Sequence, residues 1–139
     1  MDIKKRSEYK QNRKDWSIKT SLKVCGYTIS GLLHFFKHER SAMIYLAAAF
    51  ITIASGLILQ LGLIEWIVIL FVLFSLLSAE LINTAIEAIC DLVCPEQNPL
   101  VKVAKDCGSA ATGVLTVFGI GVVAVIYIPR IITLIQSIF

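Results

Sequence analysis

Three stretches of the chain, residues 42–64, 66–79 and 108–128, contain no charged side chain, and Gln60 is the most polar residue in the first. A helix needs about 20 residues, at about 1.5 Å each, to cross about 30 Å of hydrocarbon. The second stretch reaches that length because it passes without interruption into 80–93. The runs therefore predict membrane helices over 42–64, 66–93 and 100–129, the only chain geometry besides a closed barrel that satisfies its backbone inside a bilayer. Composition agrees: 57% of the 139 residues are hydrophobic and 17% charged, where soluble domains average about half apolar and about a quarter charged. The mean hydropathy of +0.78 excludes an ordinary water-soluble globule.

Charge is unevenly placed. Residues 1–40 hold ten Lys and Arg against Asp2, Glu8, Asp15 and Glu39, whereas the rest carries Lys102, Lys105 and Arg130 against six acids. A basic end next to a first span suits an anionic membrane face, and no basic patch interleaved with aromatics points to nucleic acid. The positive-inside rule places the N-terminus and the loop 94–105 in the cytoplasm, with the turn from Gln60 to Trp66 and the C-terminus outside. About 40 polar and amphipathic residues precede the first span, which is thus expected to be retained rather than cleaved as a signal peptide. Residues 1–15 read as a flexible basic arm and 16–139 as one membrane domain.

Ahead of the first span, Ile18, Leu22, Cys25, Ile29, Leu32 and Phe36 recur at steps of three and four, with Lys19, Lys23, Ser30 and Lys37 between them. This periodicity predicts an interfacial amphipathic helix over 16–38, with Asp15 capping its start and Trp16 at headgroup level.

The second span carries the chemistry. Glu80, Asn83, Glu87 and Asp91 stand three, four and four residues apart, which puts them within about 80° of one helix face. Counted from Trp66, Glu80 lies about 21 Å along the helix, inside the hydrocarbon, while Glu87 at about 32 Å and Asp91 at about 38 Å reach the boundary. A charge in a span costs about 2.5 to 3.5 kcal/mol on insertion scales, so Glu80 should face a bundle interior or find a partner. Helix association alone explains Glu80 and Asn83 less well than a site does, because four polar side chains on one stripe exceed what association needs. A buried carboxylate beside solvated ones suits a general base next to a cation site.

Two prolines, Pro95 and Pro99, then turn the chain through Glu96, Gln97 and Asn98. Lys102 and Asp106, four apart, read as a surface pair. Lys105 sits at the start of the third span, where helix backbone donors also favour anions, and is a candidate phosphate contact. Cys90 with Cys94 and His34 with His38 superficially make a zinc set, but they belong to different helices and the cysteines read as packing residues. Gly119, Gly121 and Ala124 read as close-packing positions, and Pro129 with Arg130 as the outer end of the third span.

The run Glu80-Leu-Ile-Asn83-Thr-Ala-Ile-Glu87-Ala-Ile-Cys-Asp91, followed by Pro99-Leu100 and Ala104-Lys105-Asp106-Cys-Gly-Ser109-Ala-Ala, resembles the signature of the prokaryotic diacylglycerol kinase family. Lys23-Val-Cys-Gly26-Tyr27, Gly31-Leu32 and Glu39 extend the resemblance over about residues 19–128. It implies an all-α integral membrane protein of the bacterial cytoplasmic membrane, a homotrimer whose subunits each give an interfacial helix and three spans and share active sites. It also implies ATP-dependent phosphorylation of a lipid alcohol. By similarity Glu80 would be the base, and Glu39 and Glu87 would hold Mg2+. Tyr27, Glu96, Gln97, Asn98, Lys105 and Asp106 would meet ATP together with those two ligands. Lys23, Asn83, Asp91 and Ser109 would support the site or bind substrate. Thr20 stands where some members have arginine, and Ala42 where many have an aromatic residue. The P-loop and the soluble-kinase H-R-D and D-F-G elements are missing.

Pro99-Leu100 and Glu65-Trp66 resemble the undecaprenol kinase branch, while Lys105-Asp106-Cys-Gly-Ser resembles the diacylglycerol kinase branch. Undecaprenol is the favoured substrate and diacylglycerol the alternative. The rival from another class is a small proton-coupled transporter using Glu80, since intramembrane acids also mark ion pathways. A purely structural oligomer would leave Glu39 and Lys105-Asp106 without a role.

Overall fold

The computed structural model describes residues 18–94, 96 and 98–138. The proposed cap at Asp15, the headgroup position of Trp16 and the arm 1–15 lie outside the described residues, as does Gln97. Four helices follow one another: α1 Ile18–His38, α2 Arg40–Ile58, α3 Leu63–Val93 and α4 Pro99–Ile138. There is no strand among the described residues, and α2, α3 and α4 are each long and apolar enough to cross a membrane.

A single extended residue makes the corner between α1 and α2. Glu39 has φ −93° and ψ 131°, and its amide donates to the Phe35 carbonyl at 3.0 Å. Its carboxylate makes no capping bond to α2 and so remains available to the cavity beside it. Phe35 and Ala42, 1% and 0% exposed, bury the inside of this corner.

The α2–α3 turn is tighter and earlier than the apolar run suggested. Gln60 adopts a left-handed φ of 52°. The Gln60 amide donates to the Leu57 carbonyl at 3.2 Å and the Leu61 amide to the Gly56 carbonyl at 3.1 Å. This is a Schellman motif with glutamine in the position glycine usually takes. The first span therefore ends at Ile58 instead of residue 64, and Leu63 and Ile64 already belong to α3. The turn falls at the start of the Gln60–Trp66 segment read as the connection, and the apolar run set the end of the span too late because the closing bonds are all backbone.

Packing is concentrated between α3 and α4 near this turn. Leu61, Ile69, Leu73 and Tyr127 form the buried cluster, with Trp66, Val123 and Ile126 against it. The Tyr127 hydroxyl donates to the Thr52 carbonyl at 2.6 Å and that of Tyr45 to the Leu73 carbonyl at 3.0 Å, tying α2 to its neighbours. Gly56 permits this approach, since a Cβ there would stand 2.9 Å from the Tyr127 hydroxyl and 3.0 Å from Leu61 and Trp66.

The third span does not end at Pro129. α4 continues through it to Ile138. The missing proline N–H is tolerated in a membrane helix, and the segment beyond is held by Arg130. Its Nε and Nη2 donate to the Glu65 carboxylate at 3.1 and 2.7 Å, while Glu65 also accepts from the Gly62 amide at 2.6 Å. Pairing a charge in the first turn of α3 with one near the end of α4 restrains both helix ends at once. At about 1.5 Å per residue α3 is about 46 Å long and α4 about 60 Å, so both overrun the hydrocarbon.

Candidate functional site

Helix geometry and the corner at Glu39 converge on one cavity. His38, Glu39, Arg40 and Ser41 from the α1–α2 corner meet Glu80, Asn83, Thr84 and Glu87 from α3 around an open volume of about 400 Å3. Three of the four residues of the polar stripe on α3 therefore share a lining, and Glu39, 41 positions earlier, joins them across the corner. Asn83 Nδ2 donates to Glu87 Oε1 at 2.8 Å, which orients that carboxylate and leaves its second oxygen uncommitted. Among the described residues, Glu39 and Glu80 take part in no ion pair.

Asp91, the fourth member of the stripe, faces a different space. With Cys94, Glu96, Asn98, Lys102, Lys105 and Asp106 it lines a groove of about 660 Å3 between the end of α3 and the start of α4. Here Lys105 Nζ donates to Asp91 Oδ1 at 2.5 Å, an ion pair whose carboxylate side is 68% exposed. The pair expected from spacing, Lys102 with Asp106, does not form among the described residues; α4 turns Lys105 toward α3 instead. Asn98 caps α4, its Oδ1 accepting from the Leu100 amide at 2.9 Å, with Pro99 at the first helical position where a missing N–H costs nothing.

The two spaces adjoin along α3, because Glu87, which lines the first, and Asp91, which lines the second, are one turn apart. Tyr27 is 71% exposed. Like Lys23 and Ser109, it lines neither of the two spaces. His34 and His38 stack with ring centroids 4.5 Å apart. His38 borders the first space and Cys94 the second, and Cys90 and Cys94 are free thiols.

Whether these residues suit a divalent cation is a matter of donor number. Among the described residues no three His, Cys, Asp or Glu side chains converge to hold a metal by themselves. Glu39 and Glu87 bring two carboxylates to one cavity, the donor set with which magnesium is held when water and substrate phosphates complete its shell. The residues fit that cation as a companion of a phosphate substrate.

The run Cys107-Gly108-Ser109-Ala110-Ala111 reads in the sequence as a small-residue helix that another helix can approach closely, but which residue Gly108 would meet was not read. Gly108 is buried, and a Cβ there would overlap Asn83 Oδ1. The signal available was its place one turn after Ala104 on a helix whose neighbours are small, but spacing alone does not tell which side chain from α3 it faces.

Comparison with known proteins extends beyond this geometry. Residues 26–127 match the family described as prokaryotic diacylglycerol kinase. An undecaprenol kinase of Bacillus subtilis is 33% identical over 100 residues, which cover 72% of this chain and 81% of that protein. A diacylglycerol kinase of Pseudomonas aeruginosa is 36% identical over 94 residues, 68% of this chain and 76% of that protein.

Proposed function

Because the chain belongs to the prokaryotic diacylglycerol kinase family, and is by that membership a membrane-bound lipid phosphotransferase, we propose that it transfers the γ-phosphate of ATP to the primary hydroxyl of undecaprenol. The reaction would take place at the cytoplasmic face of a bacterial inner membrane. The observation that carries this reading is the cavity where Glu39, Glu80, Asn83 and Glu87 meet. If Glu80 lies at the hydrocarbon depth expected from its place along α3, with Glu87 nearer the boundary, a lipid alcohol and a water-soluble nucleotide can reach the same place from opposite media.

In this reading Glu80 accepts the proton of the lipid hydroxyl as that oxygen bonds to the γ-phosphorus and the bond from phosphorus to the ADP oxygen breaks. Phosphoryl transfer asks a protein mainly to position the partners and neutralise charge. Glu39 and Glu87 would hold magnesium, which when bound with ATP spreads the phosphate charge. Asn83 keeps one Glu87 oxygen occupied and the other directed. Tyr27, Glu96, Gln97, Asn98, Lys105 and Asp106 form the nucleotide contacts, with Lys23, Asp91 and Ser109 in support. Lys105 then exchanges or shares Asp91 for a phosphate oxygen.

A homotrimer with sites shared between subunits accounts for Tyr27 and Ser109, which line neither space of their own chain. Residues 16–139 form one domain in this reading, with the N-terminus and the site in the cytoplasm and the C-terminus outside. Undecaprenol is supported by the Bacillus relative and by Pro99-Leu100 and Glu65-Trp66. Diacylglycerol is supported by the Pseudomonas relative and by Lys105-Asp106-Cys-Gly-Ser. The transporter alternative has no support from these relatives, which are kinases by name.

The test is transfer of labelled γ-phosphate from ATP by the purified protein, with undecaprenol and diacylglycerol offered in parallel and magnesium present or withheld. Label in undecaprenol alone supports the proposal, and label in diacylglycerol alone moves the substrate. Label in neither lipid, with both well dispersed and the protein folded, removes both assignments.

A further inference from the structure

Gly108 faces α3 from the first third of α4. A Cβ built on it overlaps Asn83 Oδ1, while Asn83 Cγ at 3.4 Å and Ile86 Cδ1 at 3.8 Å would be ordinary neighbours. The space a side chain lacks here is taken by one atom of one residue. That atom is buried and has no hydrogen-bond partner among the described residues. A buried polar atom without a partner needs a reason, since nearly all such atoms are paired. Turning the amide over would not help, because its oxygen would then face the Glu87 carboxylate, acceptor against acceptor.

The other glycines on α4 behave differently. A Cβ on Gly119 would stand 3.0 Å from Val72 and 3.5 Å from Leu76, an apolar helix contact, and Gly113 and Gly121 face open space. Only at Gly108 does the missing side chain make room for a polar residue of the candidate site.

We propose that Gly108 is a positioning residue for phosphoryl transfer: lacking a side chain, it lets Asn83 lie against α4 with its amide nitrogen on Glu87. The unpaired Oδ1 is then the cost of holding that nitrogen in place. Any side chain at 108 displaces Asn83, and the bond to Glu87 goes with it. The inference rests on the preceding reading for the role of Glu87 toward magnesium, though the contact chain from 108 to 83 to 87 does not.

The experiment compares Gly108→Ala, Asn83→Ala and the double variant in the full-length, detergent-solubilised protein. Manganese binding is followed by electron paramagnetic resonance with a non-hydrolysable ATP analogue, alongside helical content, thermal midpoint and kcat. Loss of a partner that orients a metal-binding carboxylate weakens metal binding by about 10-fold or more. Gly108→Ala and Asn83→Ala should each show that loss with helical content retained. The double variant should bind manganese no more weakly than Asn83→Ala, since residues acting through one contact are non-additive. Additive losses, or wild-type manganese binding in Gly108→Ala, would overturn the proposal. Should Gly108→Ala fail to fold, recovery of folding in the double variant supports it, and failure of both variants overturns it. Glu87→Gln separates the two readings. If it binds manganese like wild type, the metal role of Glu87 falls, and non-additivity in kcat then decides the contact chain by itself.

Discussion

The two ends of the α3–α4 pair treat charge in opposite ways. At the turn end, Glu65 is held by two nitrogens of Arg130 and by the Gly62 amide, and a cluster of Leu61, Ile69, Leu73 and Tyr127 fills the space beside it. At the loop end, Glu39, Glu80 and Glu87 line an open cavity whose carboxylates hold one side-chain hydrogen bond between them, from Asn83. A carboxylate whose oxygens all have donors has finished its work in the folded state. Those left with free lone pairs next to open volume are placed for something that arrives later. The contrast separates charges that hold the helices together from charges that face substrate.

The sharpest way to break that contrast is at Glu80. Removing a general base costs typically about 100-fold to 10,000-fold in rate. Glu80→Gln, which keeps the shape and loses the base, should abolish lipid phosphorylation within that range while nucleotide affinity and helical content stay near wild type. Labelled phosphate transfer and nucleotide binding measured on the same sample would check it, and near-normal turnover would remove Glu80 as the base. Glu39→Gln and Glu87→Gln come next. Each should raise the magnesium concentration for half-maximal activity by about 10-fold or more, and an unchanged magnesium titration in both would sink the metal assignment.

What the sequence made legible follows from how each feature is encoded. Apolar length is a property of consecutive residues, so three spans were readable. The three-and-four spacing is a property of one helix, so the shared lining of Glu80, Asn83 and Glu87 was readable too. Asp91 shows the limit: it keeps the stripe's phase, yet it pairs with Lys105 of α4, a partner that spacing along α3 does not report. The turn from Gln60 to Trp66 was readable, but the end of the first span at Ile58 was not, since its Schellman bonds join backbone groups and carry no residue signature without glycine. The Glu65–Arg130 pair joins positions 65 residues apart, which no local period reports, and α4 runs on past Pro129. Gly108 likewise faces a partner on another helix.

Arg130 tests the other half of the comparison. If charge at the turn end is structural, Arg130→Gln should lower the thermal midpoint by a few degrees, the scale expected for one modest interaction in a domain of this size. It should leave kcat and the magnesium requirement within about twofold of wild type, because an interaction outside the reacting centre changes stability without changing transition-state binding. Thermal unfolding and kinetics on one preparation would check both. A large fall in kcat at an unchanged midpoint would mean that the two ends are coupled, and the division between holding and substrate-facing charges would fail.

The smallest effect is expected at Gln60, where the comparison can be sharpened without touching any charge. Its φ of 52° lies in the left-handed region, which costs a residue with a Cβ about 1–2 kcal/mol. Glycine removes that strain, but it also widens the unfolded ensemble, an opposing contribution of about 0.4–1 kcal/mol. Gln60→Gly should therefore stabilise the protein by between zero and about 1.6 kcal/mol, seen as a slightly higher thermal midpoint with unchanged kcat. Gln60 also lines a small space with Arg130, Thr133 and Ser137. A lower midpoint would show that its side chain contributes more there than its backbone strain costs. The turn end would then owe its order to polar contacts around Arg130 as well as to the Glu65 pair and the apolar cluster, and Arg130→Gln combined with Gln60→Gly should be non-additive.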